Sequence, residues 1–213
     1  MGIKTFSPSW YFQGEVTEEE RQEISRIFKD FIEDKDNFGQ PPKWTAPVRS
    51  SYDHMNNEKA PWQAFFKIVG SQFERFLDEV GTLQEVEVHP LEAWVNKYRP
   101  GDSQEYHTHC GPDVNIAMVY FHTITDNDDC KFMFYNNDHD YQLTGLVDVM
   151  KIPNTQHTIP NVKEGSIIIF PSFYPHLVSI HKGIKNRVTF SSNLQVAPIG
   201  MGATCQNMGP RRS

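Results

Sequence analysis

The stretch Gly165–His176, with the sequence GSIIIFPSFYPH, says most about the fold of this 213-residue chain. A glycine precedes an unbroken apolar run, and two prolines then interrupt the backbone before a histidine. An apolar run of this length, bounded by glycine and proline, is typical of a buried β-strand. The sequence therefore predicts a strand over 166–170 that ends close to His176.

Similar short runs surround this strand in the second half of the chain. Turn signals separate them, including Pro-Gly-Asp at 100–102 and two asparagines at 136–137. Several short strands at this spacing are typical of a β-sandwich or a β-barrel. The other predicted strands are 91–98, 114–122, 131–135, 146–152 and 187–196.

The first half of the chain predicts two helices. Thr17 and Glu20 match a capping box, and apolar residues at spacings of three and four indicate an amphipathic helix over 17–38. A second helix is predicted over 61–80, with proline in its first turn and Gly81 as its C-terminal cap.

Helices followed by strands predict one domain of mainly β structure. Residues 1–85 are expected to form a helical N-terminal support, 86–197 an antiparallel β core, and 198–213 a mobile tail. The intervening loop 40–60 is rich in proline, serine and asparagine. Three aromatic residues of the first half are expected to pack in the core rather than to line a substrate entrance: Trp44, Tyr52 and Trp62.

Composition and charge exclude several classes of protein. The net charge is −7, from 20 basic and 27 acidic residues, so a nucleic-acid partner is not expected. Cys110, Cys130 and Cys205 share no CxxC spacing, which argues against a disulfide framework and a cysteine zinc site. No apolar run approaches the ~20 residues of a membrane span, and the first residues lack a signal-peptide core. A soluble cytoplasmic protein is the expectation.

One histidine pair and two later residues suggest a metal site. His107 and His109 are two residues apart, so on extended backbone both imidazoles point to one face and can bind one metal ion. A pair of this kind also arises by chance in a chain with nine histidines. His176 and Arg187, at the ends of later predicted strands, add a third imidazole and a guanidinium. Imidazole suits iron, and the guanidinium fork binds a carboxylate in bidentate fashion.

Three segments resemble the core of the 2-oxoglutarate/Fe(II)-dependent oxygenases, on the side of the prolyl 4-hydroxylase-like members and of uncharacterised bacterial and phage members. They are WVNKYRPGDSQEYHTH at 94–109, GSIIIFPSFYPH at 165–176 and RVTFSSNL at 187–194, within a resemblance over 92–194. The resemblance implies a double-stranded β-helix, which is the jelly-roll or cupin-like fold. It also implies an oxidoreductase that uses Fe(II), 2-oxoglutarate and O2.

The resemblance also implies roles for individual residues. Tyr98, Gly101 and His107 reproduce the prolyl hydroxylase spacing of a co-substrate tyrosine, a glycine and the first iron-binding histidine. His176 resembles the distal iron-binding histidine, and Arg187 resembles the group that pairs with the remote carboxylate of 2-oxoglutarate. The implied 2-oxoglutarate-binding residues are Arg187, Tyr98 and Thr189.

The chain departs from the family pattern at His109, which stands where the prolyl hydroxylases have aspartate. The usual facial triad is two histidines and one carboxylate, so a three-histidine site would carry one more positive charge. That charge should weaken Fe(II) binding and change the redox potential. Asp113 is the alternative carboxylate ligand, because Gly111 permits a loop path toward the site. No catalytic residue beyond the metal site is predicted.

The expected function is that of a hydroxylase acting on a small-molecule or peptidyl substrate, prolyl residues included. Two alternatives stay open: a three-histidine cupin-type dioxygenase that does not use 2-oxoglutarate, and a non-catalytic metal-binding jelly-roll module. Loss of activity on Arg187→Ala would speak against the first alternative. Full metal occupancy without O2 consumption would favour the second. Specificity is expected from residues 40–60 and 123–145, where the sequence shows no interpretable pattern.

Overall fold

A computed structural model of the chain describes residues 9–124, 130–136 and 157–201. The predicted strand 146–152 and most of the predicted tail lie outside these residues. The α-helices are α1 (Glu18–Glu33), α2 (Trp62–Ile68) and α3 (Gly70–Val80), and short 3-10 helices cover Lys35–Asn37 and Asn57–Lys59. The strands are β1 (Phe12–Glu15), β2 (Arg49–Ser50), β3 (Val86–Tyr98), β4 (Gln104–His107), β5 (Ile116–Thr123), β6 (Phe132–Tyr135), β7 (His157–Thr158), β8 (Ser166–Pro171), β9 (His176–Val178) and β10 (Arg187–Pro198).

These strands form two antiparallel sheets. The larger sheet has the order β1-β8-β5-β10-β3-β2, and the smaller sheet has the order β4-β9-β6-β7. Together they make the double-stranded β-helix that the resemblance implied, which confirms that prediction. In the described part of the chain, no helix is long and apolar enough to cross a membrane. A cytoplasmic location stays a prediction.

Side chains alternate along the central strands between two apolar cores, because successive residues of a strand face opposite sides of its sheet. Ile168 and Phe170 of β8 pack between the two sheets. Ile167 and Ile169 of the same strand pack on the opposite face, against the helices. The predicted buried strand therefore supports both layers of the molecule, and its end carries the chain to His176.

The capping box predicted at the start of α1 is confirmed. The backbone N–H of Glu20 donates to Thr17 Oγ1 at 3.2 Å, and the N–H of Thr17 donates to Glu20 Oε2 at 2.8 Å. The helix ends at Glu33, and a 3-10 turn covers the last residues of the predicted range. The second predicted helix is two helices, because the backbone at Val69 leaves the helical conformation (φ −84°, ψ 5°).

The sequence missed β1, which lies in the predicted helical support. Phe12 of β1 pairs with Ile169 of β8, so the N-terminal segment closes one edge of the larger sheet. Residues 13–15 have few apolar side chains, and only the pairing with β8 makes this segment a strand. Trp62 is 3% exposed in the helix-facing core, in agreement with the prediction for that residue.

Replacing Phe28 by alanine is expected to destabilise the fold by about 3–5 kcal/mol. Phe28 of α1 is fully buried, and its ring centroid lies 4.4 Å from that of Phe190 on β10. Truncation removes these contacts and leaves a cavity between the helices and the sheet. Urea unfolding of Phe28→Ala and of the exposed control Leu83→Ala tests this. Equal stability of the two variants would contradict the packing described.

His122 is expected to make the fold less stable as the pH falls. Burial, followed by the nearby Arg21, lowers the pKa of His122 to about 4 from the usual 6.5. Because the unfolded chain binds the proton more readily, stability falls between about pH 6.5 and about pH 4, by about 3 kcal/mol in total from this residue. In urea unfolding at several pH values, His122→Phe should lose less stability across this window than the native chain or a His89→Phe control. An unchanged pH dependence would contradict the assignment.

Candidate active site

The smaller sheet brings the three predicted histidines together. His107 ends β4 and pairs in register with His176, which begins β9. His109 follows two residues later, and its backbone N–H donates to the carbonyl of Ser172 at 2.8 Å. Ring nitrogens of the three side chains all lie within 4.8 Å of one another, with His109 Nε2 and His176 Nε2 3.2 Å apart. The described residues contain no other group of three such ligand side chains.

Backbone carbonyls orient two of these imidazoles. His107 Nδ1 lies 2.7 Å from the carbonyl oxygen of Glu105, and His176 Nδ1 lies 2.9 Å from that of Tyr174. A carbonyl only accepts, so each Nδ1 carries the proton and each Nε2 keeps its lone pair. The Nε2 atom of His176 faces His109 Nε2 at 3.2 Å, and the Nε2 atom of His107 faces the Gln104 amide nitrogen at 3.4 Å.

Burial keeps the three imidazoles neutral. It lowers the pKa of His107, and it lowers the pKa of His176 well below the usual range, with further lowering by His107 and His109. Burial and then His107 lower the pKa of His109 to about 3. Neutral imidazole is the form that binds a metal ion, so the donor set fits a transition metal such as iron at neutral pH.

Asp113, the alternative carboxylate ligand, lies apart from the three histidines. It is exposed in the short turn between Gly111 and Val114, which are joined by an isolated bridge. It belongs neither to the histidine group nor to the lining of the cavities beside that group.

An inner cavity is lined by the histidines together with Arg187, Tyr98 and Thr189. Arg187 begins β10, is 2% exposed and lies directly across from Tyr98 of β3. Its Cζ atom lies 5.4 Å from the ring centroid of Phe121. Burial raises the pKa of the Tyr98 phenol, which therefore keeps its proton. Imidazoles and a buried guanidinium therefore line the same cavity.

Gln104 was missed by the sequence reasoning, although it lines the inner cavity. The Tyr98 hydroxyl donates to Gln104 Oε1 at 2.7 Å, which turns the amide nitrogen toward the histidines, 3.4 Å from His107 Nε2. The side chain is 7% exposed. Its position three residues before His107 is the only sequence signal that could have found it.

An outer cleft adjoins the histidines on the solvent side. Trp44 and Tyr52 line this cleft, although packing in the core was the prediction for both. Trp44 also packs against the core between the two sheets, as predicted. The rings of Trp44 and Tyr52 stack at a centroid distance of 5.4 Å, and Tyr52 meets Trp94 edge-on at 5.0 Å. Both residues come from the loop that was expected to set specificity.

Residues 92–193 match the family model described as "Putative 2OG-Fe(II) oxygenase". This match covers just under half of the chain, and over these residues the chain is similar to the 2OG-Fe(II) oxygenase family. Members of this family are oxidoreductases that use Fe(II), 2-oxoglutarate and O2.

Solved structures show the same fold at low sequence identity. A prolyl hydroxylase from Trichoplax adhaerens, in complex with a hypoxia inducible factor peptide fragment, is 11% identical with a TM-score of 0.57, over 87% of this chain and 82% of that one. HygX from Streptomyces hygroscopicus, with nickel and 2-oxoglutarate bound, is 12% identical with a TM-score of 0.54, over 95% and 92%.

A 2OG-Fe(II) oxygenase family oxidoreductase from Burkholderia pseudomallei is 14% identical with a TM-score of 0.47. The match covers 70% of this chain and 60% of that one, so the present chain spans less than two thirds of its length. No curated protein matches the chain.

Proposed function

We propose that this chain is a hydroxylase in which His107, His109 and His176 hold Fe(II) and Arg187 binds the remote carboxylate of 2-oxoglutarate. One observation carries the proposal: three neutral imidazoles converge in the same cavity as a buried arginine. Fe(II) and 2-oxoglutarate are the cofactors that the similar oxygenase family uses, and the residues named above are those that would bind them here.

The chemistry supplied by bound Fe(II) is the activation of O2 and the chelation of the keto acid. In the net reaction, one oxygen atom enters the substrate as a hydroxyl group and the other enters succinate, while the keto acid loses CO2. The histidines contribute three neutral donors, whose orientation depends in part on the carbonyls of Glu105 and Tyr174. They bind no proton at neutral pH and therefore do not compete with the metal.

Arg187 and its neighbours would bind and orient the co-substrate. A guanidinium buried beside Phe121 is a strong partner for a carboxylate, because water does not screen it. The Tyr98 and Thr189 hydroxyls line the same inner cavity and would position the co-substrate beside the guanidinium. Because the Tyr98 hydroxyl already donates to Gln104 Oε1, the Thr189 hydroxyl is the one of the two that would donate to the carboxylate. Gln104 fixes the direction of the Tyr98 hydroxyl.

The inner cavity also favours this function over the two alternatives. A cupin-type dioxygenase that does not use 2-oxoglutarate needs no cation at the far end of its metal cavity. The place of Arg187 in the same cavity as the three histidines is accounted for by a dicarboxylate that spans the two groups.

The substrate is a small molecule or a peptide, and it reaches the metal from the outer cleft. The Trichoplax relative binds a peptide fragment, and HygX has been solved with hygromycin B, so comparable folds accept both kinds of ligand. In this chain the outer cleft contacts His107 and His109 directly, on the side away from Arg187. Co-substrate and substrate would therefore approach the metal from different sides.

Succinate formation from 2-oxoglutarate tests this function without knowledge of the substrate. With Fe(II), O2 and ascorbate as the reductant that replaces the missing substrate, the protein should release succinate and CO2. His176→Ala should abolish this release, and the matched control His89→Ala, outside both cavities, should retain it. Equal succinate release by His176→Ala would refute the assigned site.

A further inference from the structure

The outer cleft has an aromatic side that leads from solvent to the metal centre. Trp44, Tyr52 and Trp94, here called the aromatic wall, form a continuous series of ring contacts. The series ends at His109, whose ring stacks on Trp94 at a centroid distance of 5.6 Å. A wall of this kind binds the apolar face of a ring or a short carbon chain.

Trp94 contributes a hydrogen-bond donor, its indole Nε1–H, in addition to its aromatic ring. The residue is 2% exposed and lines both the inner cavity and the outer cleft. Its indole Nε1–H is buried and donates to no described residue. A buried donor without a partner is costly, so the site calls for a ligand oxygen that accepts from it.

One oxygen of a carboxylate in the same cleft has no hydrogen-bond donor among the described residues. Glu105 Oε1 accepts from the backbone N–H of Thr45 at 3.0 Å and from its hydroxyl at 3.3 Å. Glu105 Oε2 is buried and accepts no hydrogen bond from any described residue. A ligand with a cationic N–H would satisfy this oxygen with a charge-assisted hydrogen bond.

The charges of the cleft agree with a cationic ligand. Glu92 and Glu105 are negative, and exposed Lys43 is positive, so the lining carries one net negative charge. Glu92 Oε2 already accepts from the Asn193 amide at 2.7 Å, which leaves Glu105 as the carboxylate with an unused oxygen. Fe(II) with three neutral imidazoles and a 2-oxoglutarate dianion adds no net charge. The cleft therefore stays negative in the loaded enzyme.

We propose that the outer cleft binds a small amino alcohol, with its ammonium group on Glu105, its oxygen on the Trp94 indole N–H and its carbon skeleton on the aromatic wall. This inference rests on the proposed function in treating the bound molecule as the substrate. The binding site itself is defined by residues that lie outside the proposed metal and co-substrate ligands.

Two matched probes test the charge requirement. Trans-2-aminocyclohexanol carries an ammonium group and a hydroxyl on a six-membered ring, and trans-1,2-cyclohexanediol replaces the ammonium by a second hydroxyl. Saturation-transfer NMR on the metal-free protein measures both affinities. The amino alcohol is expected to bind about tenfold more tightly, because a hydrogen bond to a charged partner is stronger than a neutral one.

Variants identify the residues responsible. Glu105→Gln keeps an acceptor for Thr45 but removes the charge, and it should abolish the preference for the amino alcohol. Glu19→Gln, on the exposed face of α1, should retain it. Trp44→Ala should weaken both probes alike, since the ring contact does not depend on charge. Equal binding of the two probes, or an unchanged preference in Glu105→Gln, would overturn the proposal.

The two proposals fail separately. His176→Ala, which is expected to lose the metal, should keep the preference for the amino alcohol. If that preference holds but the protein forms no complex with Fe(II) and 2-oxoglutarate, the cleft is a binding site and the proposed oxygenase chemistry is wrong. If the complex forms and the preference is absent, only the inference about the cleft is wrong.

Discussion

Replacing Arg187 by alanine is expected to weaken 2-oxoglutarate binding about a hundredfold while Fe(II) binding persists. Arg187 is 2% exposed, and it lines the inner cavity together with the histidines. Losing one partner of a buried charge pair costs about 3 kcal/mol, which corresponds to about a hundredfold in affinity. Isothermal titration of the Mn(II)-loaded protein with 2-oxoglutarate measures this effect without turnover.

Two further variants separate recognition from folding. Arg187→Lys keeps a charge and most of the volume but lacks the fork, so it should recover only part of the affinity. Arg26→Ala, on an arginine with a 70% exposed side chain, is the matched control and should bind as the native protein does. Native 2-oxoglutarate affinity in Arg187→Ala, with the fold intact by circular dichroism, would show that the arginine has another role.

Replacing His176 by alanine is expected to reduce Fe(II) affinity by more than about a hundredfold. Loss of a residue that only orients a ligand already costs 10–100-fold, and His176 would be a ligand itself. Because its ring packs 5.0 Å from the Phe132 ring, His176→Gln is the second variant, which keeps more of the packing volume. Anaerobic metal titration measures both.

The control for metal binding is His89→Ala. His89 lies on β3, and its Nε2 atom pairs with Glu87 Oε1 at 3.1 Å, outside the lining of both cavities. This variant should keep native affinity. Retention of tight Fe(II) binding by both His176 variants would mean that the metal lies elsewhere.

The sequence predicts those features that depend on local patterns. The capping box at Thr17 and the apolar run 166–170 specify their elements without help from the rest of the chain, and the structure confirms both. The register between β3 and β10, which places Arg187 across from Tyr98, needs both strands. The resemblance to the oxygenases implied this proximity, and no local pattern shows it.

Features that depend on tertiary contacts were missed. The short strand β4 pairs with β9, β9 pairs with both β4 and β6, and β1 pairs with β8, so each of these strands depends on partners that are distant in sequence. Trp44 and Tyr52 read as core residues, since an aromatic side chain in a loop has the same sequence signal whether it is buried or lines a cleft. Trp94 shares one face of β3 with Tyr98, four residues further along the strand, and this even spacing was the available sign of its place in the site.

The most direct test of the three-histidine centre is an anaerobic titration of the metal-free protein with Fe(II) and then 2-oxoglutarate, followed by visible charge-transfer absorption. We expect a charge-transfer band that requires both additions, weakens in Arg187→Ala and is lost in His109→Ala. If the band persists at native strength in His109→Ala, the third ligand is another residue, with Asp113 the first to examine. If iron binds and no band forms in the native protein, the chain does not chelate 2-oxoglutarate on that metal.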